Sequence, residues 1–487
     1  MAATTRVLSA APVATYEDYL AQRGGSGLEA ARAVAPEVVI DEIDAAGLRG
    51  RGGAGFPTGT KWRTVREVGS DVLPTTVIVN GAEGEPGTFK DHTILLNNPY
   101  QVIEGALIAA TVVSGGEVVL ALKAAASDVV RRVRAAVAEM DAAGVLAPIT
   151  VRVFEGPGEY LYGEETALLE ALNGRPPFPR ITPPYRRGAV DVVLTDDEAA
   201  SGSGQSALVE MADGNDAAPP ALIDNVETMA NVPGIVLHGA AWFRECGTEQ
   251  SPGTIVCTVS GGTESAGVGE FEMGTPLREV IETLGGAEQG RPVKAVMPGV
   301  SNSIIPAAAL DTALTYESMA QLGSGLGSAG FIVLTEGDDM VAVAAGASRF
   351  LAVESCGQCT PCKRDGLALS ELLARLARNE ATIDDVAEIR DLARMVSEEA
   401  RCSLANQHEA IVTSLFDEFD GEVAPHVNQT APAAEPMFVA EILGVTDGLA
   451  TLDESRRGKQ PDWSFDETDS GKRPVERLAE HRDHATQ

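Results

Sequence analysis

The chain is 487 residues long, 44% hydrophobic and balanced in mean hydropathy at +0.01, with a formal net charge of −34. That length holds roughly two to four domains with cores of their own, and no apolar run reaches the ~18 residues that a membrane helix needs. The acidic balance excludes nucleic acid, whose phosphates it repels at long range, and reads as a solubility feature rather than as the mark of a basic partner.

The start Met1-Ala-Ala-Thr-Thr-Arg-Val-Leu lacks the basic-then-apolar order of a secretory signal, which predicts a cytoplasmic protein without direct membrane insertion. Residues 14 to 46 read as exposed helix. Gly47 to Trp62 then carry glycines at 50, 52, 53 and 55 together with Arg51 and Lys61. Missing Cβ atoms let backbone N–H groups approach an anion, and the two cations add charge. The stretch is neither a Walker A loop nor a Rossmann fingerprint, and a flexible loop is the alternative. Thr75 to Asn80 reads as a buried strand running into Gly81-Ala82-Glu83-Gly84-Glu85-Pro86-Gly87. Polar residues and turn glycines at the end of a strand are where α/β sheets place ligands. Asn98-Pro99 opens an apolar helix. Val118 to Leu122 and Ile149 to Phe154 read as further strands with a helix from Ser127 to Met140 between them, an alternation that predicts a parallel sheet with helices on both faces. Glu155 to Thr166 leads into a helix ending near Leu172. Gly163 leaves free N–H groups at its start. Glu164 and Glu165 read either as helix-dipole partners or, with Tyr160, as ligands on the same sheet edge.

Gly188 to Ala218 is acidic and rich in Gly, Ser and Ala, and reads as an inserted surface loop, passive or acting as a lid. Thr254 to Ser260 and Lys294 to Pro298 are strand patterns around a helix from Pro276 to Leu284, which fits a small β-grasp domain with a structural role. Gly323 to Gly330 reads as a flexible crossing, Phe331 to Leu334 as a strand, and Met340 to Phe350 as the helix delivering Glu354-Ser355-Cys356-Gly357-Gln358-Cys359-Thr360-Pro361-Cys362. These three thiols are joined by Cys402 across a helix-turn-helix length, and four thiolates fill the ligand set of a [4Fe-4S] cluster. Structural zinc and free thiols are the alternatives, although zinc takes separated Cys pairs or Cys and His mixtures, and His408 is the only histidine near Cys402. Cys246 and Cys257 read as small core side chains. Past Val423 a tail with Pro425, Pro432 and Pro436 follows, expected to be disordered from about Ser455.

Five ordered motifs carry a resemblance: residues 50–59, Asn80 to Asp91, Gly163-Glu164-Glu165-Thr166, Asn225-Val226-Glu227-Thr228, and the cysteine stretch. Over roughly residues 40 to 424 the chain resembles the NADH-binding flavoprotein subunit of respiratory complex I and its relatives in NAD-linked hydrogenases and formate dehydrogenases. The resemblance implies an α/β fold with a Rossmann-like FMN domain over residues 1–248, a β-grasp (ubiquitin-like) domain over 249–335, a helical [4Fe-4S] domain over 336–424, and a tail over 425–487. It implies that Gly52, Gly53, Lys61, Asn80, Tyr160, Gly163, Glu164, Asn225 and Thr228 hold FMN. Phe56, Lys61, Glu85, Glu165 and Tyr185 would surround NADH, with Phe56 and Tyr185 near its adenine, and Cys356, Cys359, Cys362 and Cys402 would bind the cluster. It further implies a separate thioredoxin-like [2Fe-2S] subunit and a larger iron-sulfur or metal-bearing subunit as partners, through which the chain would sit peripheral to a membrane.

Several positions depart from the family pattern, among them Tyr185, a mild change where Phe is usual. The flavin loop usually reads Asn-Ala-Asp-Glu, whereas here Asn80-Gly81-Ala82-Glu83 lacks one carboxylate, a change that favours anionic reduced flavin and raises its potential. His92 stands where Arg is usual, and Asp224 where a first Asn is usual and where it would restore some charge. The resemblance implies hydride transfer from NADH to FMN and single-electron transfer to the cluster, with no catalytic acid or base; Glu85 and Glu165 then bind nucleotide and favour NADH over NADPH. The alternatives are an NAD-ferredoxin oxidoreductase, as a branch of a bifurcating complex, and a non-catalytic assembly or redox-sensing subunit that has lost FMN.

Overall fold

The computed structural model describes residues 5–69, 74–180, 220–286 and 291–461; Tyr185 and the insertion at 188–218 lie outside the described residues. Four parallel strands build the first sheet, β1 (Thr75–Gly81), β2 (Gly115–Lys123), β3 (Thr150–Gly156) and β4 (Ala221–Asn225), in the order β3-β2-β1-β4. Val77, Ile78 and Val79 of β1 are buried, as a β-branched run must be where helices cover both faces. The chain steps from β1 out to β3 on one side and then places β4 on the other, so its direction of progress reverses between β1 and β4. Asn80 and Asn225 pair in register at that reversal, and in open α/β sheets a ligand crevice lies outside the carboxyl ends of the strands there. Asn225 then caps the helix Val226–His238 by accepting the Glu227 N–H, and Asn98 caps Pro99–Val112 by accepting that of Gln101.

Residues 14–46 form three helices, Tyr16–Ala21, Ser26–Arg32 and Pro36–Ala46, and they are not the exposed helical stretch expected. Tyr16, Tyr19, Leu28, Ile40 and Ile43 belong to the main core. Buried Glu104 organises their entry, accepting from the Tyr19 hydroxyl and from the N–H groups of Gly25 and Leu28. The charges of this stretch hid an apolar face that long-range packing uses.

A second sheet contains β5 (Thr254–Gly261), β6 (Gly267–Glu272), β7 (Val293–Met297), β8 (Ile305–Pro306) and β9 (Gly330–Thr335) in the order β6-β5-β9-β7-β8. β5 and β9 run parallel at its centre, and the other pairs are antiparallel. Ile255, Cys257, Val296 and Phe331 pack with the helix Leu277–Leu284, while Ala295, Met297 and Leu334 join the core of the helical region. Cys246 and Cys257 are both buried free thiols, in keeping with their reading as core residues.

The helical region comprises Met340–Glu354, Thr360–Ala377, Ile383–Met395, Leu404–Glu418 and Asp420–Val427. A hairpin of β10 (Ile442–Thr446) and β11 (Leu449–Leu452) and a short turn of helix at Glu454–Gly458 follow. Residues 455–461 are ordered, with Arg456 and Lys459 paired to a buried carboxylate, and the rest of the tail expected to be disordered lies outside the described residues. Among the described residues no helix is long and apolar enough to cross a membrane.

Candidate cofactor cleft and thiol cavity

A cleft of about 560 Å³ opens at the carboxyl ends of β1 and β4. Every residue of the expected FMN set lines it: Gly52 and Gly53 from the glycine loop, Lys61 from the helix Thr58–Glu67, Asn80 from β1, Tyr160, Gly163 and Glu164 after β3, and Asn225 and Thr228 after β4. Phe56, Glu85 and Glu165 of the NADH set line it as well. Gly53 has φ of +119°, which a side chain resists, and a Cβ on Gly52 would stand 3.4 Å from that of Asn225. Both glycines line the cleft, where bare backbone lets N–H groups approach an anion.

Of the two cations expected there, only Lys61 reaches the cleft. Arg51 is 3% exposed; its N–H bonds Thr228 Oγ1 at 2.9 Å, and its guanidinium turns inward to the Tyr316 hydroxyl at 3.0 Å and the Pro252 carbonyl at 3.3 Å. It anchors the loop from behind. Lys61 Nζ pairs with Glu165, bonds the Ile223 carbonyl, and lies 3.6 Å from Asp224 Oδ1. Burial alone would lower its pKa, but Asp224 and Glu165 outweigh it and hold the ammonium charged. Asp224 also accepts from Trp62 Nε1 at 2.7 Å, so the carboxylate expected to offset Ala82 is committed to Lys61 and Trp62.

The second sheet and the helical region also reach the cleft, which corrects the purely structural role expected for residues 254–334. Ser301 and Asn302 line it, as do Gly327 and Ser328 from the stretch expected to be a flexible crossing. Glu85 accepts the Val300 N–H at 2.7 Å and the Tyr160 hydroxyl at 2.6 Å, and that hydroxyl lies 3.3 Å from Gln407 Oε1. Burial raises the Glu85 pKa. One signal was present in the sequence: Pro298-Gly-Val-Ser-Asn302 follows strand β7 as the ligand loops follow β1 and β3.

Lys90 carries a role that the sequence did not disclose. It is 1% exposed, and its Nζ lies 2.7 Å from Asp91, 2.9 Å from Glu227 and 3.2 Å from Asn225 Oδ1. Asn225 Nδ2 donates to Asp91 Oδ2 at 2.6 Å, so a buried charge network fixes the asparagine at the strand reversal. Next to it, Glu83 accepts the N–H groups of Asp91 and His92, both at 3.1 Å, at the start of the helix Lys90–Asn97. Burial, reinforced by Asp91, pushes the Glu83 carboxyl up from 4.5 to about 8.

Between those two values the folded chain keeps a proton that the unfolded chain has lost, so stability falls as pH rises from about 4.5 to 8 and then levels. Glu83→Gln should flatten that fall in thermal unfolding measured across the window; an unchanged slope would show that Glu83 is not its source. Buried His92, lowered from 6.5 to about 4, acts on the acid side, where stability falls as pH drops between those values.

Cys356, Cys359, Cys362 and Cys402 line a second, small cavity, and none forms a disulfide. Cys359 immediately precedes the helix Thr360–Ala377 and Cys402 precedes Leu404–Glu418 by two residues, so helix N-termini at the cavity favour negative charge there. Ser355 Oγ lies 3.2 Å from Cys362 Sγ, and Gln358 Nε2 lies 3.4 Å from Cys356 Sγ. Burial pushes Cys362 up to about 11 and Cys402 up to about 12, so metal loading releases protons. Among the described residues no three ligating side chains gather closely enough for a single metal ion. His408 is fully buried against Ser348 Oγ at 2.6 Å and is no part of the thiol set. A four-thiolate donor set around one cavity suits a cluster, which is wider than a lone zinc ion. Leu161, Cys402 and Leu404 line both this cavity and the large cleft, forming a shared wall.

Residues 43–234 match the Nuo51 FMN-binding domain, and residues 342–426 match the iron-sulfur binding region of NADH-ubiquinone oxidoreductase-F. Fold and site therefore define a class, the flavoprotein oxidoreductase subunits that carry FMN and a [4Fe-4S] cluster. The chain is 34% identical over 432 residues to the NADH-quinone oxidoreductase F 2 subunit of Rhizobium meliloti, covering 86% of this chain and 94% of that relative. It is 32% identical over 424 residues to the NADP-reducing hydrogenase HndC subunit of Solidesulfovibrio fructosivorans, covering 85% and 81%. The crystal structure of an NAD+-reducing [NiFe]-hydrogenase in its H2-reduced state superposes with a TM-score of 0.71 at 29% identity, covering 86% of this chain and 67% of that one. The chain belongs to the family of NADH-quinone oxidoreductase F subunits.

Proposed function

We propose that the chain oxidises NADH in the large cleft and delivers the electrons to the cluster cavity through the wall that contains Cys402. The observation that carries this reading is that wall: among the described residues, Leu161, Cys402 and Leu404 line both sites. Bound FMN supplies the chemistry, taking hydride from a nicotinamide and releasing electrons singly. The chain's own groups bind and orient. Gly52, Gly53 and Gly163 offer open backbone, Asn80 and Asn225 hold the strand ends, and Lys61 supplies the cation. Glu85 and Glu165 stand where they can accept from a nucleotide's ribose or amide, and Phe56, 53% exposed at the cleft, offers a face for adenine. Leu161 and Leu404 keep water from the shared wall.

Relatives named as subunits of quinone oxidoreductases and hydrogenases support separate partner chains, read here as a thioredoxin-like [2Fe-2S] subunit and a further iron-sulfur or catalytic subunit. The order β6-β5-β9-β7-β8 with parallel central strands and one covering helix supports reading the second sheet as a β-grasp domain. A cytoplasmic location, peripheral to a membrane through partners, is read from the likeness to relatives named as quinone oxidoreductase subunits. The reading is tested by restoring iron and sulfide to the purified chain, identifying its released flavin, and assaying NADH-driven ferricyanide reduction. FMN with NADH-dependent turnover supports it; flavin-free, inactive protein with an intact cluster overturns it in favour of a sensor.

Ala82 provides an independent check. It is 4% exposed in the loop between Asn80 and Glu83. Ala82→Asp adds a carboxylate beside bound flavin and should lower its midpoint potential in a redox titration; a potential that stays put or rises would refute the electrostatic account of this loop.

A further inference from the structure

The carboxylate of Glu354, two residues before Cys356, is held from three sides. Oε1 lies 3.0 Å from Arg456 Nη1 and 2.8 Å from Lys459 Nζ, while Oε2 lies 2.9 Å from Lys459 Nζ and accepts the Tyr160 N–H at 3.1 Å. Arg456 continues to Glu441 at 2.9 Å, to Asp453 at 3.2 Å and to the Gly158 carbonyl, and Glu441 takes Lys123 Nζ at 2.8 Å. Lys123 ends β2 under the cleft loop, where a Cβ on Gly84 would collide with its Nζ. Lys123, Arg456 and Lys459 thus balance Glu354, Glu441 and Asp453, and the set links Gly84, Gly158 and Tyr160 of the cleft loops to the cysteine stretch. The ring of Tyr160 meets Phe350, on the helix that ends in Glu354, edge to face at 5.3 Å. The iron-sulfur match stops at residue 426, so Arg456, Lys459 and Glu441 lie past it.

We propose that segment 437–461 is a positioning part of the cofactor cleft: Arg456 and Lys459 fix Glu354, and Glu354 fixes the Tyr160 backbone so that its hydroxyl meets Glu85. This rests on the reading of the cleft as the FMN site. A buried carboxylate stripped of its cations turns toward water, and the Tyr160 N–H then loses its acceptor. Tyr160 moves with it, and the cleft wall loosens on the side that faces Cys402.

The test uses the full chain with its cluster restored and reads FMN affinity from the fluorescence of flavin released on dilution, with iron content and circular dichroism measured alongside. Arg456→Met combined with Lys459→Met should weaken FMN at least ten-fold while iron per chain matches the parent. The charge-keeping Arg456→Lys with Lys459→Arg should restore most of the affinity. Lys459→Gln alone should shift affinity the same way and serves if the double variant does not fold. Arg457→Met removes a charge that, among the described residues, pairs with Glu454 and covers Phe438, and should change nothing. Parent-like FMN binding in both Lys459→Gln and the double variant overturns the proposal, as does equal weakening by Arg457→Met. A flavin-free parent overturns the reading of the cleft itself and the proposal with it.

Discussion

Cys402→Ser should abolish or convert the iron-sulfur cluster while NADH still reduces bound flavin. Cys402 is the distant fourth thiol, set in the wall that Leu161 and Leu404 complete, and the other three thiols follow one another at the start of Thr360–Ala377. A hydroxyl is a poorer iron ligand than a thiolate. Loss of outer-shell partners alone costs roughly 10–100-fold in metal affinity, so replacing a ligand should cost at least as much. The groups proposed to hold flavin lie in the first sheet and the loops around it, and the Cys402 thiol is not one of them. Iron and sulfide analysis with stopped-flow flavin bleaching separates the two effects. Unchanged iron content and an unchanged cluster spectrum would remove Cys402 from the ligand set.

Glu227→Gln should be among the most destabilising single changes in the chain, by about 3–5 kcal/mol, because it leaves buried cations short of a partner. Glu227 is 0% exposed; it accepts the Val256 N–H at 2.9 Å, meets Lys90 Nζ at 2.9 Å and lies 3.9 Å from Arg51 Nε. One carboxylate thereby ties the glycine loop, the helix after the flavin loop and strand β5 together. The exposed pair of Arg457 and Glu454 is the contrast: Glu454→Gln should leave the unfolding midpoint close to that of the parent. Denaturant unfolding of both variants measures the difference, and equal midpoints would show that the network around Lys90 is not a structural anchor.

The parallel sheet was legible because its strands and helices alternate with distinct periodicities, and the thiol set because three cysteines fall at one spacing and a fourth after a helical length. The cleft residues were legible where polar and glycine residues follow a strand directly, as at Asn80 and Gly163. Local pattern does not reveal which way a charge turns. Arg51 looked like a phosphate ligand and is buried behind its loop, while Lys90 looked unremarkable beside Asp91 and is 1% exposed under the cleft. Gly327 and Ser328 were hidden for a related reason: glycine-rich sequence reads as flexible unless the opposite wall, here Gly53, is known to face it. The three helices between residues 14 and 46 were misjudged because their charges mask a docking face that Glu104 organises.

Flavin and cluster that share the wall containing Cys402 must sense each other's unpaired electrons. Electron-spin relaxation of one-electron-reduced flavin, measured in the restored protein with the cluster reduced and then removed, reads this out. The reduced cluster should speed relaxation strongly, and Cys402→Ser should abolish the effect with the cluster. Flavin relaxation indifferent to the state of the cluster would place the two centres apart and contradict a shared wall.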